Sequence, residues 1–69
     1  EAERMARRGA RRSAYLARDV AMCRELEADD LDWRRPGGGI EPPEVGWVVG
    51  RQAALHLKAG ERLERTALR

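Results

Sequence analysis

The run Pro36-Gly37-Gly38-Gly39, near the midpoint of a 69-residue chain, limits the fold more than any other feature. Proline has no amide hydrogen to give a helix interior, and three successive glycines carry the largest entropic cost of ordering, so no helix passes through them. The residues around the run extend the break. DDLDWRRPGGGIE begins with an acidic cluster, contains an Arg-Arg-Pro step and ends in Ile40-Glu41, so a connector is expected over about residues 29–42. It separates two longer segments, each of which must find its own pattern.

The first segment, about residues 2–28, is rich in Ala, Arg, Glu, Leu and Met and contains no proline, which predicts a helix. Met5, Gly9, Leu16, Val20 and Cys23 form its expected buried face, and Tyr15, Met22 and Leu26 make a second apolar strip. The second segment, about residues 43–68, begins near Pro42 or Pro43, with Glu44 in its first turn, residue types suited to a helix start. Val45, Val48, Val49, Ala53, Ala59, Leu63 and Ala67 then recur on one helical face. Arg51, Lys58, Arg62, Arg65 and Arg69 fall on the opposite arc, with Trp47 at its edge, while Gly50, Ala54 and Leu57 mark a flank open to close approach.

Two helices of similar length joined by such a connector predict an all-α fold, an antiparallel two-helix hairpin forming a single domain. A chain this short buries little surface by itself. Both helices carry more apolar surface than one hairpin covers, so the expectation extends to a homodimeric four-helix bundle or to a larger protein partner.

Charge is sorted along the chain although its net value is only +2. Residues 1–18 hold six arginines and two glutamates, whereas residues 19–32 hold six acids and one arginine. This sorting suggests a small non-enzymatic interaction module, specifically a DNA- or RNA-associated regulatory or accessory protein of the transcription-regulation kind. Arg4, Arg7, Arg8 and Arg11 would join Arg51, Lys58, Arg62, Arg65 and Arg69 as phosphate contacts. The alternative is an adaptor or assembly subunit that docks through Tyr15, Met22 and Leu26 and through the flank of Trp47, Gly50, Ala54 and Leu57.

Chemistry-bearing patterns are few. Cys23 and His56 are the only cysteine and histidine, too few for an internal disulfide or a zinc site, and both are expected to face the helical core. The glycine run lacks the spacing and the following Lys-Ser/Thr of a phosphate-binding loop. No catalytic residues, metal site or cofactor are therefore predicted. The lone thiol and the lack of a membrane-length apolar run suggest a cytoplasmic location. The text MARRGARRS from Met5 reads as a natural beginning, with Glu1–Arg4 left over from something upstream.

Overall fold

The computed structural model describes residues 11–69, and over these the chain consists of short extended segments and tight turns. Strand β1 (Ser13–Leu16) pairs antiparallel with β2 (Leu31–Arg34), setting Ser13 opposite Arg34, Ala14 opposite Trp33, Tyr15 opposite Asp32 and Leu16 opposite Leu31. β2 follows the period of two that a half-buried strand requires. Leu31 is buried and Trp33 half-buried, whereas Asp32 and Arg34 are exposed.

A second antiparallel pairing runs the length of the molecule. Tyr15 bridges Arg62, Val20 bridges Leu57, and Glu25 bridges Gln52; the residue numbers of each pair add to the same total, so one register is kept throughout. Val20 and Leu57 exchange both backbone hydrogen bonds, each 2.8 Å, and further along Ala53 N–H donates to the Arg24 carbonyl at 2.9 Å. The pairing breaks into separate bridges because the backbone between them is not uniformly pleated. Cys23, with φ of 77°, lies in the left-handed region that side-chain-bearing residues seldom adopt.

Three 3-10 turns complete the path. Ala28–Asp30 delivers the chain into β2, Pro42–Glu44 runs directly into α1 (Val45–Val48), and Arg65–Ala67 lies near the end. The first two share one device, an acid three residues on that accepts the N–H preceding the turn. Glu27 N–H donates to Asp30 Oδ2 at 2.7 Å and Glu41 N–H to Glu44 Oε2 at 2.9 Å.

The interior is one apolar cluster drawn from every part of the described chain. Leu16, Val20, Leu26, Ile40, Val48 and Leu63 supply its largest side chains, and Trp33 and Leu68 pack against its edge.

These findings overturn the all-α expectation. Among the described residues there is no two-helix hairpin from which a four-helix bundle could be built, and α1, the one α-helix there, is four residues long. Ala, Arg, Leu and Glu favour a helix by only tenths of a kcal/mol per residue, a preference that long-range pairing and burial readily override. Leu16, Val20, Val48, Ala53, Leu63 and Ala67 do reach the core, through strand-like pairing instead of a helical face. Cys23, Val45, Val49 and Ala59, which the helical pattern puts inside, are exposed. Among the described residues no helix is long and apolar enough to cross a membrane.

Candidate functional site

The chain leaves β2 through Arg35-Pro36-Gly37-Gly38-Gly39 and returns to the core at Ile40, which is fully buried. This loop is tied back to β1 along its length. Ala14 N–H donates to the Ile40 carbonyl at 2.9 Å, and Gly39 N–H donates to Oγ of the buried Ser13 at 3.0 Å. The Tyr15 hydroxyl reaches the Pro36 carbonyl at 3.5 Å. Two glycines are needed here for separate reasons. A Cβ on Gly37 would lie 2.7 Å from Arg11 Cβ, closer than carbon atoms tolerate, and Gly38 has φ of 108°.

Four arginines surround the loop. Arg11 Nη1 is 3.3 Å from Glu41 Oε2, and Arg34 Nε is 2.9 Å from Asp32 Oδ2 while its guanidinium sits 5.0 Å from the Tyr15 ring centroid. Arg62 Nε donates to Glu64 Oε2 at 2.9 Å, and its stem lies along Gly39. The hydrogen bond to Glu64, reinforced by its charge, holds the Arg62 guanidinium above its ordinary pKa. Arg35 is exposed and has no ion-pair partner among the described residues. A glycine surface ringed by guanidinium forks is chemically suited to a carboxylate or another oxyanion.

A second polar centre lies elsewhere and has a different character. Asp30 is completely buried: Arg18 Nε and Arg24 Nη2 donate to its Oδ1 at 2.6 and 2.8 Å, and Glu27 N–H donates to Oδ2. Burial alone would raise the pKa of this carboxyl. The Glu27 amide and then the two guanidiniums outweigh that effect and hold it below its ordinary value. The carboxylate itself is enclosed, with both oxygens occupied, so this centre fastens the turn before β2.

The residues singled out from sequence are dispersed by this fold. Arg4, Arg7 and Arg8 lie outside the described residues. Arg11 and Arg62 flank the glycine loop. Arg51 instead stacks on Trp47, 4.0 Å from the ring centroid, Arg65 pairs with Glu44, and Lys58 and Arg69 are exposed elsewhere. Leu26 and Leu57 are core residues, Tyr15 and Ala54 are half-buried, and Met22, Trp47 and Gly50 are exposed. His56 is exposed, 3.9 Å from Asp19 and remote from any core histidine role. No cluster of His, Cys, Asp and Glu suited to a metal ion occurs among the described residues. Sequence reasoning missed Ser13, Asp30, Arg34 and Arg35. The signals were the strict alternation of Leu31-Asp32-Trp33-Arg34 and the placement of an arginine pair directly against the proline and glycines.

Residues 11–66 match the model of the SAF domain, and the chain belongs to that family. It is 40% identical over 53 residues to N,N'-diacetyllegionaminic acid synthase of Legionella pneumophila, a match that covers 77% of this chain and 15% of the synthase. A solved structure from Chromobacterium violaceum, described as spore coat polysaccharide biosynthesis protein E, superposes with a TM-score of 0.77 at 25% identity, covering 100% of this chain and 21% of that one. This chain thus spans about a fifth or less of the length of these sugar-biosynthesis relatives. The comparisons overturn the reading as a DNA- or RNA-associated transcription regulator, and with it the adaptor alternative. Both relied on stripes along helices that the described residues do not form, and the relatives are named for sugar biosynthesis.

Proposed function

We propose that this chain is a non-catalytic, ligand-facing domain of an enzyme that makes an N-acetylated sugar acid, with the glycine loop turned toward the sugar and Arg35 contacting its carboxylate. The supporting observation is the extent of the synthase match. A 53-residue stretch within 69 must contain residues 17–53, and therefore the whole Arg35–Gly39 loop. Arg35 is the exposed guanidinium of that loop with no acid to neutralise it among the described residues. A planar fork of this kind binds a carboxylate with two parallel hydrogen bonds.

The test is a chimaera in which residues 11–69 replace the matching stretch of the Legionella pneumophila synthase. The chimaera should make product, and Arg35→Ala within it should lower kcat/KM by about tenfold or more, the loss expected for a charge-assisted contact to substrate. A synthase that works equally well with this stretch deleted would overturn the reading.

A further inference from the structure

We infer that Arg62, oriented by Glu64, forms a second carboxylate contact on the open glycine face of the loop. This inference rests on the sugar-acid reading above and extends it from one guanidinium to two.

The argument starts from where the backbone puts the residue. Arg62 bridges Tyr15 in the long antiparallel register, so its Cα is fixed one strand away from the loop's anchor on β1. Its side chain then runs over the glycines, where a Cβ built on Gly39 would stand 3.4 Å from Arg62 Cδ and 3.6 Å from Nε. At Gly38 the nearest atom to such a Cβ is Arg62 Nη1, at 3.8 Å. The guanidinium therefore lies beside the part of the loop that has no side chains to cover its backbone.

Glu64 takes only part of this guanidinium's capacity. It accepts from Nε at 2.9 Å, which fixes the plane of the fork, while Nη1 lies on the Gly38 side. An oxyanion seated at Gly38 thus meets a pre-oriented guanidinium beside a backbone that no side chain covers, an arrangement that selects negative charge. Arg62 and Glu64 are both exposed, and an exposed pair of this kind adds little to folding, so its ordered geometry is available for binding.

The experiment titrates the 69-residue chain, followed by NMR, with three probes: N,N'-diacetyllegionaminic acid, its methyl ester and inorganic phosphate. Arg62→Gln should weaken binding of the acid by about tenfold or more and leave binding of the ester unchanged, because the ester has no carboxylate to lose. Arg62→Lys should recover part of the loss, since charge is restored without the fork. Glu64→Gln should weaken the acid by a smaller factor by releasing the plane of the guanidinium. Arg51→Gln, on the remote Trp47, should change nothing. If Arg62→Gln binds the acid like the unmodified chain while Arg35→Gln does not, the inference about Arg62 is wrong and the sugar-acid reading stands. Failure of the unmodified chain to bind the acid overturns the inference about Arg62, while the chimaera decides the sugar-acid reading separately. Phosphate binding that exceeds that of the acid and disappears in Arg62→Gln would overturn the carboxylate assignment.

Discussion

The arginines at Asp30 and those around the glycine loop use the same side chain for opposite purposes. At Asp30, Arg18 and Arg24 converge on one oxygen of a carboxylate with no exposure, and the Glu27 amide takes the other oxygen. At the loop, each paired arginine has its own acid, the half-buried Glu41 for Arg11 and the exposed Asp32 and Glu64 for Arg34 and Arg62, while Arg35 has none among the described residues. Exposed pairs of this kind contribute about 0–1 kcal/mol, whereas removing one member of a buried set costs several. Charge that is buried and shared is committed to the fold; charge that is exposed and singly paired can change partners when a ligand arrives.

The sharpest way to break this contrast is to remove the shared carboxylate. Asp30→Ala should lower stability by about 3 kcal/mol, the low end for a broken buried set because Arg18 and Arg24 can turn toward water. Chemical denaturation reads this directly, and a loss below about 1 kcal/mol would place Asp30 in the same class as the loop pairs. Acid should reveal the same centre. The folded pKa of Asp30 is depressed, so its contribution is complete above the unfolded aspartate value of about 3.9 and is lost as pH falls through the lower folded value. In Asp30→Asn that segment of the stability–pH curve should flatten.

A smaller effect tests whether the loop is itself held by buried polarity. Ser13 is fully buried and its Oγ accepts the Gly39 N–H at 3.0 Å. Ser13→Ala leaves that N–H without an acceptor and should cost about 1–2 kcal/mol. Amide exchange should accelerate at Gly39 and its neighbours and remain slow at Val20 and Leu57. Uniform acceleration across the chain would instead make Ser13 a general core residue with no particular relation to the loop.

Much of this organisation escapes a reading from sequence for a physical reason. The helical pattern in 43–68 is real as spacing, because Val48, Ala53, Leu63 and Ala67 are buried, but the segment is held by bridges from Gln52, Leu57 and Arg62 to residues 27, 37 and 47 positions earlier. Local propensity cannot report such distant partners. Single bridges at Val20–Leu57 and Glu25–Gln52 also produce no run of alternating residues to recognise. The break at the glycines is legible in the sequence, and so is the alternation in Leu31–Arg34, although the turn residues around it read as a connector. Asp30 was not legible. Nothing in an acidic cluster identifies the one carboxylate that two arginines, six and twelve residues before it, will enclose.

Arg51 provides the third and smallest measure, because it belongs to neither group. Its guanidinium lies 4.0 Å from the Trp47 ring centroid and its Nε donates to the Trp47 carbonyl at 2.7 Å, at a ring that is 40% exposed. A cation over an exposed aromatic face is worth about 0.5–1 kcal/mol, so Arg51→Ala should lower stability by that amount and shift the tryptophan emission as the ring gains water. The second tryptophan, Trp33, packs against the core, so the change in emission should disappear in a Trp47→Phe background. If Arg51→Ala costs as much as Asp30→Ala, burial is not what separates the arginines of this fold, and the distinction between committed and available charge fails. If it costs what an exposed contact should, the scale between the two regions has a fixed lower point against which Arg35 and Arg62 can be measured.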